Sequence, residues 1–147
     1  MILLNLPRPP STNQLWRALS KGEQNGYRQL GKKPPTRVRT DAYRIWLRAA
    51  KNEVMAQNFE HNKAIAGFVS MQIAAGAPIT LKNELSGTRP DISNLIKGTE
   101  DLLVTCKLID DDKCVIDQRI FWTTDIEHRR IQVCIQPAQF IVERKVA

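Results

Sequence analysis

Five charged side chains stand close in this chain, at spacings that could serve phosphate chemistry: Asp91, Lys97 and the run Asp110, Asp111 and Asp112. Magnesium takes oxygen ligands, usually one or two carboxylates, with waters and substrate phosphate completing its shell. Asp91 and Asp112 meet that demand if the fold brings a helix start beside the aspartate turn. The ion would then lower the pKa of a bound water and stabilise charge on a phosphate under in-line attack. Lys97 would neutralise charge developing in the transition state. The plainer alternative is a solvated acidic turn, and residue types alone leave both readings open.

The elements that must position this set lie in residues 89–115. A polar loop leads into a helix starting near Asp91, where Asp91 or Ser93 could cap the free N–H groups of the first turn. Ile92, Leu95, Ile96, Thr99, Leu102, Leu103 and Cys106 recur at helical spacing and mark the core face. Asn94, Lys97, Glu100 and Asp101 fall on the other side.

Around that centre, residues 2–6 suit a short strand that prolines and small polar residues stop at 8–13. Residues 14–40 read as a long basic loop, in which Arg17, Lys21, Arg28, Lys32, Lys33, Arg37 and Arg39 are interleaved with Trp16 and Tyr27. Loops of that length are uncommon in compact domains and often functional. The reading preferred over a bare surface excursion is an arm in which cations meet phosphates and an aromatic meets a base.

A helix over 41–57 would bury Ala42, Ile45, Trp46, Ala49, Ala50 and Val54. Arg44, Arg48 and Lys51 share another face that could follow a phosphate backbone, although such a run is more often a solvated face. A polar turn at 60–63 precedes a half-buried strand over 68–73, alternating Val69, Met71 and Ile73 with Ser70 and Gln72. The loop 76–90 carries Lys82 and Arg89, and Arg89 is either a phosphate contact or a surface ion pair. Strands over 115–123 and 129–136, joined at 124–128, read as a hairpin. The tail 137–147, with Phe140, Ile141 and Val142, is expected to pack at an edge, at a subunit contact, or to fray. The order β-α-β-α-β-β predicts a single α+β domain over 1–147, a mixed sheet with two packed helices.

With 147 residues the chain can bury one core and is short for two. Its 22 Lys and Arg against 15 Asp and Glu give a net charge of +7, which attracts polyanions, nucleic acid first among them. Cys106, Cys114 and Cys134 are odd in number without CxxC spacing, so neither a disulfide framework nor a zinc site is expected, and the setting expected is a reducing cytoplasm. The apolar start is cut by Pro7 with no charged region before it, unlike a signal peptide, and no run is long enough to span a membrane. His61 and His128 lack motif partners and are expected at the surface.

The motifs PRPPSTN, RPDISNLIK, EDLL and IDDDKCVID, spread over nearly the whole chain, resemble the RusA-type crossover-junction endodeoxyribonucleases, small Holliday junction resolvases often carried by phages and prophages. The family pattern is an Asp-x-Asp-Asn-x-x-Lys box, an Asp-Ala-Leu-like continuation and a later Asp-Asp pair followed by a strand. Asp91 matches the first box aspartate, Asn94 the asparagine, Lys97 the lysine and Asp101 the helix aspartate, while Asp111 and Asp112 match the pair. The resemblance implies a magnesium-dependent (manganese as a substitute), structure-selective endonuclease of DNA recombination and repair. It would resolve four-way junctions by paired nicks, as a homodimer in a bacterial or phage-infected cell. Asp91, Lys97 and Asp112 would be catalytic, and Asp91, Asp111 and Asp112 would hold the metal. Arg37, Arg39, Arg44 and Arg89 would bind DNA. Ser93, Asn94 and Asp101 would support the site, Asn94 by bracing it and Asp101 by holding the lysine one turn before it.

One position departs from the pattern. Ser93 stands where the family has its second box aspartate, and a neutral hydroxyl is a poor magnesium ligand beside a carboxylate. Either Asp110 or Asp111 supplies the missing oxygen, or the chain is a non-catalytic protein that binds branched DNA without cutting it.

Overall fold

The computed structural model describes residues 1–57 and 64–139. The polar turn at 60–63, His61 and the apolar part of the tail therefore lie outside the described residues.

Strand β1 (Ile2–Pro7) opens the chain, and β2 (Trp16–Ala18), helix α1 (Lys21–Gln29) and β3 (Arg37–Arg39) follow it. The segment read as a basic loop thus carries two short strands and a helix. No residue of α1 is buried, so apolar periodicity could not reveal it. A reciprocal cap holds it instead: Ser20 Oγ accepts from the Glu23 N–H, and the Glu23 carboxylate accepts from the Ser20 N–H at 2.8 Å. The Ser-x-x-Glu spacing of Ser20 and Glu23 was the available signal. Arg17 adds a two-pronged ion pair to Glu23 at 2.7 and 2.9 Å, tying β2 to α1. The Glu23 carboxyl is held down at about 2, mainly by that arginine.

Helix α2 (Asp41–Gln57) has the expected bounds. Its buried face is rotated from the expected one: Tyr43, Trp46, Leu47, Ala50 and Val54 are inside, while Ile45 is 71% exposed. Both sets satisfy i, i+3, i+4 spacing. The choice falls to polar ends that need partners in the interior. The Trp46 indole N–H donates to the Pro7 carbonyl at 2.9 Å, and the Tyr43 hydroxyl donates to Asp101 at 3.1 Å. At the far end, the Gln57 amide exchanges two hydrogen bonds with the Asn5 backbone (2.7 and 2.8 Å), occupying groups that an edge strand would otherwise leave open.

Strand β4 (Val69–Gly76), α3 (Ile96–Thr105) and β5 (Val115–Thr123) form a β-α-β unit, and β6 (Arg130–Pro137) follows. Four strands make one mixed sheet in the order β1-β6-β4-β5, with β4 and β5 parallel and the other pairs antiparallel. The expected hairpin of β5 and β6 is not formed. A parallel crossover through α3 sets β5 on one flank of β4, and β6 takes the other, so that both hydrogen-bonding edges of the buried strand β4 are paired, whereas a β5–β6 hairpin would leave one of them open.

The alternation seen in the sequence is realised in burial: Val69, Met71 and Ile73 of β4 and Ile131, Val133 and Ile135 of β6 are almost wholly enclosed. With Leu4 and Leu6 of β1, they pack against the apolar faces of α2 and α3, including Leu95, Leu102 and Leu103. The result is the expected α+β domain with a mixed sheet, with α1 as a third, peripheral helix. Among the described residues no helix is long and apolar enough to cross a membrane.

Candidate active site

The site is built at the two ends of α3. A single 3-10 turn (Ile92–Leu95) leads into the helix, and Asp91 caps it, its carboxylate accepting from the Ser93 N–H at 3.1 Å and the Ser93 hydroxyl at 2.9 Å. A serine at this position thus serves as a hydrogen-bond donor to Asp91. Thr12, from the PRPPSTN segment, donates to the Asn94 carbonyl at 2.9 Å, and Gly98 lets Pro9 lie against α3, where an added Cβ would sit 2.9 Å from Pro9 Cβ. The opening motif therefore braces the start of the helix.

At the other end, Asp111 caps a second 3-10 turn (Asp112–Cys114) by accepting from the Lys113 N–H at 2.9 Å. That turn brings Asp112 back over α3. The Lys97 ammonium lies 2.8 Å from Asp112 Oδ2 and 2.9 Å from Asp101 Oδ1, and Asp101 in turn accepts the Tyr43 hydroxyl. These bonds to Asp112 and Asp101 hold Lys97 firmly protonated, its pKa raised. Lys97, followed by the neighbouring Asp111, holds the Asp112 carboxyl below its ordinary range. Burial pushes the Tyr43 phenol up to about 12, with Asp101 adding to the shift. Glu100 is raised chiefly by burial, opposed by the Gln118 amide at 3.1 Å. Lys97 thus sits between Asp101 and Asp112, with Glu100 near enough for its carboxyl to feel the ammonium's charge.

Asp101, Asp111 and Asp112 share a cleft of about 290 Å³ with Trp16, Arg39, Val104 and Thr105. Asp91 lines a different hollow, of about 470 Å³, with Gly87, Arg89, Pro90, Ile92 and Trp122. Lys97, Asp101 and Asp112 are brought together with Asp111 beside them, while Asp91 lines the neighbouring hollow. Of the expected DNA-binding arginines, Arg37 and Arg39 are exposed on the β2–β3 ribbon, Arg44 pairs with Asp41, and Arg89 donates to the Ser86 carbonyl at 3.0 Å while facing the Asp91 hollow. Tyr43 escaped the sequence reading, which had no signal for it, whereas Trp16 was expected on the basic arm but not at this cleft. Tyr43 lies 58 residues from its partner Asp101, and Trp16 reaches the cleft only because its ribbon folds over it.

The donors here are all oxygen, which suits a hard divalent cation. Asp111 and Asp112 supply two neighbouring carboxylates, as many as magnesium usually takes from protein. Among the described residues no three His, Cys, Asp or Glu side chains group closely enough to hold a metal ion alone, so waters and substrate phosphate would complete the shell.

A single α+β domain with a carboxylate-and-lysine cleft flanked by exposed arginines has the make-up of a protein that handles phosphodiesters. The family model described as Endodeoxyribonuclease RusA matches residues 10–136, and the chain belongs to the RusA family. No curated protein matches the chain as a relative. Membership implies an endonuclease that resolves Holliday junctions, and RusA resolvases are generally dependent on a divalent metal.

Proposed function

We propose that this protein is a magnesium-dependent, structure-selective endonuclease that resolves four-way DNA junctions by paired strand nicks. The observation that carries the reading is Lys97, gripped between Asp101 and Asp112, two carboxylates that line an acidic cleft, in a chain of the RusA family. Asp111 and Asp112 would hold the metal, with Asp91 joining from the start of α3. When bound, the ion supplies Lewis-acid stabilisation of a phosphate and a water of lowered pKa.

The protein's own groups do the remaining work. Lys97 stays protonated and offers its ammonium to charge developing on the phosphate. Asp101 and Tyr43 keep that ammonium in place. Arg37, Arg39 and Arg89 take phosphates of the flanking strands. A junction's two-fold symmetry asks for two such sites, which supports a homodimer.

Incubating a labelled four-way junction with protein and magnesium tests this. Symmetric paired nicks are expected from the wild type, and they should be lost in Asp112→Asn and Lys97→Ala. No nicking by the wild type, or undiminished nicking by Asp112→Asn, would overturn it.

A second reading is supported by Ser93, whose hydroxyl is spent on Asp91 where a second carboxylate would stand in the family pattern. In that case the protein binds branched DNA without cutting it. Tight junction binding with no cleavage in magnesium or manganese, and cleavage switched on by Ser93→Asp, would establish this alternative.

A further inference from the structure

The β2–β3 ribbon pairs Trp16 with Arg39 and Ala18 with Arg37. Directly opposed residues, and residues two apart, share one face of a ribbon. Trp16, Ala18, Arg37 and Arg39 therefore project together, while Arg17 projects the other way, towards Glu23. Trp16 remains 38% exposed although it is the largest side chain of that face.

Beneath it the aromatic groups are ordered from core to surface. The Trp46 and Tyr43 rings stack at 5.8 Å, the Arg39 guanidinium lies 5.6 Å from the Tyr43 centroid and 5.7 Å from that of Trp16, and Trp16 tilts against Tyr43 at 6.3 Å. Tyr43 and Trp46 already close the core there, so the indole is held in place without being needed as filling. It stands between two hollows, the 290 Å³ cleft shared with Arg39, Asp101, Asp111 and Asp112, and one of about 250 Å³ shared with Arg37. An exposed indole braced by a guanidinium, with a second arginine beside it, presents a π-surface between two cations, and nucleobases stack on such surfaces regardless of sequence.

We infer that Trp16 is a stacking platform for an unpaired nucleobase of the DNA strand whose phosphate enters the acidic cleft, with Arg37 and Arg39 on the phosphates to either side. The inference rests on the proposed function and adds to it a means of recognising a branch point. Bases there are the easiest to unstack, whereas an uninterrupted duplex offers none.

The test uses the whole chain without divalent metal, so that no strand is cut, and a four-way junction carrying 2-aminopurine at the crossover. Wild-type binding should change the 2-aminopurine emission. Trp16→Ala and Trp16→Leu should abolish that change and weaken junction binding by about 5- to 150-fold, the range for losing one base–aromatic stack. Trp16→Phe should restore both in large part. Trp16→Leu keeps an apolar contact on Tyr43 and so guards against a folding defect. Affinity for uninterrupted duplex, set by phosphates, should be unchanged in every variant. An emission change and junction affinity in Trp16→Leu equal to wild type would overturn the inference alone, as would an equal loss on duplex and junction. A wild type with no preference for junction over duplex would overturn the inference and the proposed function together.

Discussion

Lys97 and Asp112, fifteen residues apart in the chain, meet through a 2.8 Å ion pair that closes α3 onto the turn beyond it. Asp101 grips the same ammonium from one helical turn away. The lysine thereby loses most of its freedom, and under the proposed function the charge it offers to a phosphate would need little reorganisation.

Asp101→Asn keeps the shape of that grip and removes its charge. Junction cleavage should fall about 10- to 100-fold, the usual cost of losing a group that orients a site residue. Junction affinity measured without metal should change little. Single-turnover cleavage alongside a binding titration checks the split.

Tyr43→Phe deletes the phenol that donates to Asp101 from the buried face of α2. The loss of a hydrogen bond to a charged group should lower stability by about 1.5 kcal/mol in urea unfolding. The same substitution alters the alkaline limb. The Tyr43 phenol is raised from 10.0 to about 12, so the folded state keeps its proton where the unfolded chain has lost it. Its contribution is complete below pH 10 and lost as pH rises towards 12. Unfolding of Tyr43→Phe followed between those values should show a shallower change in stability with pH.

Gly76 ends β4 against the connection that leads into β6. A Cβ there would lie 2.0 Å from the Glu127 carbonyl oxygen and 2.9 Å from that of Ile126, both backbone atoms that no rotamer change can move. Gly76→Ala should destabilise the domain by about 3 kcal/mol, at the upper end of overpacking costs. A melting temperature within a degree of wild type would contradict this.

Arg37 and Arg39 are both exposed on the ribbon, without a carboxylate partner among the described residues. Replacing both with Gln should weaken junction binding and reduce the slope of log K against log salt by about 2, one unit for each phosphate left without its arginine. Filter binding at several salt concentrations measures it.

Much of the fold was written in local patterns. Val69, Met71, Ile73 and Ile131, Val133, Ile135 alternate so regularly that their strands and inward faces follow from the chain alone. Ile92 to Cys106 shows the helix of the site in the same way, although its first four residues form a 3-10 turn and the spacing left Asp91 and Ser93 both open as caps. The bounds of α2 were equally legible, but its inward face was not. Tyr43 and Ile45 are both compatible with helical spacing, and only the contact of the phenol with Asp101 and of the Trp46 indole with Pro7 separates them. The segment 14–40 misled for the opposite reason, since α1 buries nothing and its capping box is its sole signature.

What the sequence determined by itself is the family, the α+β class and the alternating strands, and it also marked out Asp91, Lys97, Asp101, Asp111 and Asp112 as the candidate chemical set. These depend on residue type and short spacing, which are properties of the chain. The tertiary structure decided that β5 and β6 lie on opposite sides of β4 instead of forming a hairpin, that Tyr43 holds Asp101, and that Trp16 overhangs the acidic cleft while Asp91 faces another hollow. Each of these joins groups far apart in the chain. Such pairings are chosen by which edges and faces fit once the core has closed, and no local pattern carries that information.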